Sequence, residues 1–429
     1  MKYRFVKILL VFTSLHACNS GAVDFSELVE RSFFYSRDYL QFMAEMDKQV
    51  SELTLQAYSA YPKVDLELNK NLTNSDVTGP RSITTSNGSY RTDGLTLRIN
   101  QPIYDQEIIS QMSSAEKKIY QLQHEVLLKR IAHIKAVFQQ YKTYVLYRKK
   151  IPHYEADLEY GRYIYHQTEG LASQGLVSNG ILAESKIEMS SKYSQLADAQ
   201  HYLSQSEASL IGLVTDVVML AEPDCITLSK KYLSYKVPEN PMSNSVELSY
   251  IRTQILYQKD IYEGVKSAIV PKVYANYSYS VDKQIGGSFD NSLTKQGVVQ
   301  ISLSVPLYDR ASPYKKIQSQ TEHIAQLESM YDKYRMIFPR ELRKTLDNIE
   351  ESYQSWLNVN NNDHLLERYL ALKQNEYEIG AIKKADYLSA KVLVEKSKVE
   401  SLNSCLNFYD AAINLYALLG QGDMLGLRN

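Results

Sequence analysis

Two stretches of this chain end a β-pattern and begin a long helical one within a few residues. Gly297 to Arg310 reads GVVQISLSVPLYDR, where Val299, Ile301, Leu303 and Val305 alternate with Gln300, Ser302 and Ser304. A period of two puts the aliphatic residues on one face of a strand and the small polar ones on the other. Pro306 then removes a ladder donor and ends the strand. Gly94 to Asp105 reads GLTLRINQPIYD and repeats the arrangement, with Leu95, Leu97 and Ile99 alternating with Thr96, Arg98 and Asn100. Pro102, Ile103, Tyr104 and Asp105 match Pro306, Leu307, Tyr308 and Asp309. Each exit opens a helical pattern, from Asp105 to about Thr168 and from about Ala311 to Tyr377. The first would be on the order of 95 Å long at the α-helical rise, too long for a globular domain. Pro152 and Pro339 are expected to kink these runs, and Pro313 suits a first helical turn.

The rest of the chain falls into the same order twice. A helical pattern covers Asp24 to about Ala60, with Ser26 as candidate N-cap. Pro62-Lys63-Val64 opens a strand whose Val64, Leu66 and Leu68 share a face, and a polar loop follows from Asn71 to Asp93. After the first long helix, Gly175 to Gly180 reads GLVSNG, a turn. A second helix runs from Ile181 to about Leu213. The second half has a helix from Val246 to about Ile269, Pro271-Lys272-Val273, a strand and a loop from Asp282 to Lys295. After its long helix comes a turn at Gly380, then a last helix from about Ala385 to Leu419 with Gly420 as C-cap. Pro62 with Pro271, Pro102 with Pro306, and Gly175 with Gly380 are separated by 209, 204 and 205 residues. A near-constant period means internal duplication. The expected division is a leader at 1–22, a first repeat at 23–214 (strand hairpin 61–103, turn 170–180), an irregular linker at 215–242, and a second repeat at 243–429 (hairpin 270–308, turn 378–384).

The first residues read as an export signal. Lys2, Arg4 and Lys7 precede an apolar run from Ile8 to Leu15, too short to span a membrane as a helix. Cleavage can follow Ala22, or Leu15-His16-Ala17-Cys18 can act as a lipoprotein box that lipidates Cys18 and leaves 1–17 as the leader. Beyond the leader no segment has about 20 consecutive apolar residues. A closed β-barrel remains a way to cross a membrane, because its strands satisfy their own backbone. The formal net charge of −1 implies no general attraction to nucleic acid. Cys225 and Cys405 lack metal-ligand spacing and fall in different parts of the repeat, so no disulfide framework is expected. His133 and His166 have no ligand partner at helical spacing, and no metal or cofactor is expected. No nucleophile elbow, P-loop or paired-carboxylate motif is present, so no enzymatic activity is expected.

Each half supplies two strands, and a lone hairpin is marginal with open edges. Four strands cannot close a barrel around a passage, so closure needs several chains. The amphipathic but polar helices must bury thin stripes against one another, as in coiled coils.

In this order, the duplication, the Pro-Lys-Val entries, the Pro-aliphatic-Tyr-Asp exits and the turns GLVSNGILAESK (Gly175 to Lys186) and YEIGAIKKADYLSAK (Tyr377 to Lys391) resemble TolC-type outer-membrane factors. The resemblance covers Asp24 to about Gln421. It implies a mainly α fold with a transmembrane β-barrel contribution: a homotrimer whose twelve strands close one barrel in outer-membrane lipid, continued by an α-helical tunnel across the periplasm. It implies partners as well, a periplasmic adaptor protein and an inner-membrane pump or ABC exporter. Pro102, Tyr104, Asp105, Pro306, Tyr308 and Asp309 would mark the barrel-to-tunnel junctions. Gly175, Gly180, Gly380, Lys383 and Lys384 would sit at the helix-turn tips, where the adaptor contacts the channel. Tyr377 matches the family's gate tyrosine and Asp386 the first of its two constriction aspartates. Ser389 stands where the second is found, Ile382 where a gate-linking arginine is found, and Ile181 where an aspartate follows the first turn. The polar gate network is thus reduced. Asp386 also suits an ordinary helix start, where acidic residues are favoured, and Tyr377 suits coiled-coil packing. The function implied is a passive duct for efflux or type I secretion with a closable periplasmic end. A surface-exposed structural or adhesive coiled coil is the other reading, although it leaves the strand hairpins unexplained.

Overall fold

The computed structural model describes residues 23–75, 88–214, 220–286, 292–305 and 312–420. Cys18 with the rest of the leader, and Pro306, Tyr308 and Asp309 of the second junction, lie outside the described residues.

The first half begins with α1 (Phe25–Tyr35) and α2 (Arg37–Ala57). The N-cap of α1 is Asp24 rather than Ser26. The Asp24 carboxylate accepts the Glu27 N–H at 2.7 Å, and the Ser26 hydroxyl donates to that carboxylate at 3.0 Å. The single helix expected up to Ala60 breaks at Ser36, whose backbone is extended with ψ 112° and whose N–H still bonds Ser32. Strands β1 (Lys63–Ser75) and β2 (Gly88–Tyr104) follow. They reach further into the polar stretch than expected, pairing Asn71 with Thr92 and Thr73 with Tyr90. A ladder is held by backbone groups, and alternating polar residues do not interrupt it. Strand β2 also continues past Pro102 to Tyr104, with a register shift between those residues where the proline lacks a donor.

Helix α3 (Gln106–Ser173) has 68 residues, about 100 Å at the α-helical rise, and contains Pro152. It returns through α4 (Asn179–Ile211). Between the halves lie α5 (Cys225–Ser234) and the single turn α6 (Pro241–Asn244), so part of the segment expected to be irregular is helical. The second half repeats the order: α7 (Val246–Lys266) with a short 3-10 turn, β3 (Lys272–Ile285), β4 (Leu293–Ser304), α8 (Ser312–Glu378) and α9 (Lys384–Leu419).

The four strands form one antiparallel sheet in the order β1-β2-β3-β4. Register fixes its faces. Val64, Ile99, Tyr277 and Val299 lie in one row across the sheet, and Leu68, Leu95 and Val281 lie in another on the same face. The opposite face carries Asp65, Arg98 and Ser278 in one row and Glu67, Thr96, Ser280 and Gln296 in the next. On the apolar face Val64, Leu66, Leu68, Val299, Ile301 and Leu303 are all exposed. Among the described residues the outer edges of β1 and β4 have no strand partner.

The main core is a band at mid-height of the helices. It joins Ile134, Val137, Phe138 and Tyr141 of α3 to Leu406, Phe408 and Ile413 of α9, with Ile349 and Trp356 of α8, Leu228 of α5 and Val246 of α7. Phe25 of α1 packs on Phe138 and Tyr141, ring centroids 5.3 Å from each. Tyr141 donates to the Ala221 carbonyl at 2.7 Å, and Ala221 N–H bonds Val23 at 2.8 Å, so the segment before α5 is drawn onto the band. Gly420 ends α9 with φ 68°, and a Cβ there would meet Val246 at 2.8 Å. Both the left-handed backbone and the close approach demand glycine.

Cys225 is bonded to Cys405 across 180 sequence positions. This corrects the expectation of no disulfide. The cysteines are remote in sequence, and only the packing of α5 on α9 brings their Cα atoms to 5.8 Å. Such a bond suits an oxidising, exported compartment. Replacing both cysteines with alanine is expected to lower stability by about 2–4 kcal/mol, read as a lower denaturant midpoint of the purified protein. An unchanged midpoint would show that the bond adds nothing to the equatorial band.

Candidate functional site

Three places on the chain carry the candidate residues: the junction, the turn tips and the start of α9. At the first junction, Asp105 is the N-cap of α3. Its carboxylate is almost wholly buried and accepts the Glu107 and Ile108 N–H groups at 3.0 and 3.4 Å. The Tyr274 hydroxyl of β3 donates to the same carboxylate, and the Lys272 ammonium lies 3.6 Å away and pairs with Glu107 as well. Burial pushes the Asp105 pKa up. The Tyr274 bond, the Lys272 charge and the two backbone donors outweigh it, leaving the carboxyl below the usual aspartate range. One side chain therefore fixes where the strand ends, where the helix begins and how β3 sits beside both. Pro102 pairs with Tyr274 in the ladder, and Tyr104 pairs with Val273 and is exposed.

The turn tips share one backbone construction. Gly175 has φ 73° and Gly380 has φ 76°. At the first, Leu176 N–H bonds Leu171 O at 2.9 Å and Gly175 N–H bonds Ala172 O at 3.0 Å. At the second, Ala381 bonds Glu376 at 2.8 Å and Gly380 bonds Tyr377 at 3.0 Å. These are paired Schellman closures, which need a residue at positive φ. A Cβ at either glycine would meet nothing within 4 Å, so backbone conformation alone selects them. Gly180 differs: it lies in the first turn of α4 without a positive φ. Ser178 caps that helix, accepting the Ile181 N–H at 3.4 Å.

At the start of α9, Asp386 is exposed and its carboxylate accepts the Lys383 N–H at 3.3 Å. That is the return half of a capping box. Ser389, one turn on, is exposed beside the buried Leu388 and Ala390. Tyr377 stacks on Tyr387 of α9, centroids 5.4 Å apart and planes 8° from parallel, so its ring helps pack α8 on α9. Lys383 is exposed, whereas the Lys384 ammonium lies over the Tyr163 ring of α3, 5.5 Å from its centroid.

The structure adds ties that the sequence reading did not find. Lys391 of α9 bonds Glu159 of α3 at 2.8 Å. Lys192 of α4 bonds Asp157 of α3 at 2.7 Å, its stem crossing Gly161, where a Cβ would meet it at 2.7 Å. A glycine inside a helical pattern was the available signal of this close approach. The tip-side part of α3 is thus tied to both α4 and α9. A cleft of about 330 Å³ beside the disulfide is lined by residues such as Trp356, Leu366 and Val394 and has no histidine. Among the described residues no His/Cys/Asp/Glu group could hold a metal ion, and no helix is long and apolar enough to cross a membrane.

Asp105→Ala is expected to cost about 2 kcal/mol, from the lost cap and the Tyr274 hydroxyl left without its acceptor. Asp105→Asn keeps the cap and isolates the charge. A lowered folded-state pKa contributes stability that is complete above the unfolded aspartate range, about pH 4. That contribution is lost as pH falls through the lowered value. Acid titration of the unfolding midpoint should therefore show a shallower loss below pH 4 in Asp105→Asn than in the parent. Parallel curves would remove Asp105 from the junction's charge balance.

The outer membrane efflux protein family model matches residues 36–215 and 258–421. Solved structures with the same fold include the Campylobacter jejuni CmeC outer membrane channel, with TM-score 0.72 and 13% identity over 92% of this chain and 85% of that one. The Vibrio cholerae outer membrane protein VceC aligns with TM-score 0.67 and 15% identity over 92% and 96%. The Neisseria gonorrhoeae MtrE outer membrane channel, described in its open state, aligns with TM-score 0.68 and 13% identity over 96% and 94%. No curated protein matches the sequence at a significant level. The two matched segments span both halves and both helical hairpins, and on that ground the chain belongs to the outer membrane efflux protein family.

Proposed function

We propose that three copies of this chain form an export duct. A barrel built from their sheets would lie in the outer membrane, and a helical tunnel would extend into the periplasm. The observation that carries this reading is a four-stranded sheet with an exposed aliphatic face and, among the described residues, two edges without a strand partner, continuous with helices about 100 Å long. Open edges and an apolar outer face together call for closure in lipid. The polar face would line the passage. Exposed Ile187 and Tyr193 on α4, and Leu365 and Leu372 on α8, offer the stripes on which neighbouring copies would pack. The internal repeat supports quasi-equivalent packing of the two hairpins around the tunnel.

The tip end is the closable one in this reading. Ties from α3 to α9, Lys391 to Glu159 and Lys384 to Tyr163, hold the α9 start against the other hairpin. Each tie is solvent-exposed, so each is weak and can be exchanged when a partner docks. Asp386 would supply one carboxylate per copy to a ring at the aperture, where the field of a narrow constriction concentrates cations. The Gly175 and Gly380 tips, with Lys383 beside the second, would meet a periplasmic adaptor that links the duct to an inner-membrane pump or ABC exporter. No chemistry is assigned to the chain, and transport energy would come from that partner.

Single-channel conductance in planar bilayers tests the duct. The purified protein should conduct, and Asp386→Ala should raise the divalent-cation concentration needed for half-block at least tenfold. Lys391→Met should increase the conductance of the resting state. A protein that never conducts would contradict the duct. Unchanged block would remove Asp386 from the aperture, and unchanged resting conductance would remove the Lys391 tie from closure.

A further inference from the structure

The apolar face of the sheet is not apolar along its whole length. From the helix-bearing end, its rows run Val273–Leu303, Ala275–Ile301, Val64–Ile99–Tyr277–Val299 and Leu66–Leu97–Tyr279. The next row adds Lys295 beside Leu68, Leu95 and Val281. Lys70, Asp93 and Lys283 then stand opposite one another, and Arg91 follows between Leu72 and Ile285. These five are the charged side chains of this face among the described strand residues, and all five sit in its half farther from the helices. Arg91 pairs with Asp93. Lys70, Lys283 and Lys295 are exposed and make no ion pair among the described residues. Four cations thus face one carboxylate.

From Val273 to Val281, β3 presents nine residues of which the outward ones are uncharged. A tilted strand of 9–11 residues spans the hydrocarbon of a membrane. The lysines therefore begin where that layer ends. Because α3 leaves β2 at the opposite end, the cationic end is the exterior one if the helices are periplasmic, so this inference rests on the proposed orientation. Lysine stems beside aliphatic neighbours can lie along the apolar surface with the ammonium held at headgroup level.

We infer that Lys70, Lys283 and Lys295, with Arg91, form a binding surface on the outside of the barrel for phosphate-bearing anionic lipid headgroups of the outer leaflet. The occupant is a lipid rather than a soluble phosphate, because the cations are continuous with the aliphatic rows that acyl chains would cover. In the closed assembly the patch would recur once per copy, giving the barrel a cationic collar at one end only. Each cation near an anionic lipid surface is worth about fivefold in binding, or about 1 kcal/mol.

The test uses the full-length trimer in non-ionic detergent, mixed with micelles containing a bisphosphorylated glycolipid, with phosphatidylcholine, or with inorganic phosphate. Bound lipid per trimer is counted by native mass spectrometry. The parent protein should retain the phosphorylated lipid, retain phosphatidylcholine weakly, and lose little lipid to millimolar phosphate. Lys70→Gln/Lys283→Gln/Lys295→Gln should bind the phosphorylated lipid at least tenfold more weakly. Arg98→Gln, on the opposite face, should bind as the parent does. Equal retention by parent and triple variant, equal loss in Arg98→Gln, or full displacement by free phosphate would each overturn the lipid surface. Heat-modifiable trimer migration of every variant reports assembly separately, so a protein that forms no trimer contradicts the proposed function instead. Should the triple variant alone fail to assemble, the three single lysine variants carry the test, each with a loss of about fivefold.

Discussion

Unpaired backbone at a sheet edge is the constraint on which the rest of this molecule depends. Four strands leave two edges, and an exposed aliphatic face gives the sheet no stable home in water. In lipid the edges become more costly still, because nothing there can satisfy a free N–H or C=O. The four described strands do not pair these edges with one another. Each half contributes one hairpin, and β2 to β3 pairing joins the two halves within a chain. In the proposed duct, further closure comes from other copies, and the long helices would surround the space that the barrel encloses.

The helices transmit that arrangement over a distance their own composition does not stabilise. Helices α4 and α8 bury few side chains within the chain, and their tip-side parts leave large apolar residues exposed. What organises them is the mid-height band, where α3, α8 and α9 meet α1 and α5 and where Cys225 is joined to Cys405. The sheet end is set by Asp105 and the tip end by two left-handed glycines. Between the band and the tips the hairpins bury Ala156, Leu158, Leu388, Ala390 and Val394, and are tied by a half-buried Lys192–Asp157 pair and an exposed Lys391–Glu159 pair. In the proposed duct, the exposed Lys391–Glu159 and Lys384–Tyr163 ties would let the start of α9 move while the sheet end and the mid-height band stay in place.

The strand alternation, the twofold element order and the turn glycines were legible in the sequence because each is a local pattern with one physical cause. Gly420 was legible as a helix stop for the same reason, although its contact with Val246 was not. Strand ends were misjudged where the pattern turned polar, since ladder pairing from Asn71 to Ser75 needs no apolar side chain. Ser26 lost to Asp24 as a cap by a difference of two positions that periodicity does not resolve. The disulfide was invisible because its cysteines are brought together only by tertiary packing. The same holds for Lys391 with Glu159, whose partners lie 232 positions apart. Around the candidate aperture, residue types could be read, but the stacking of Tyr377 on Tyr387 and the capping bond of Asp386 required coordinates.

Amide hydrogen exchange of the membrane-embedded protein tests the central claim most directly, because it reports whether edge strands have partners. If copies of the chain close one barrel, amides of β1 and β4 should be protected as strongly as those of β2 and β3. Rapid exchange along the outer edges of β1 and β4, beside slow exchange in the two inner strands, would show an open sheet and contradict the account.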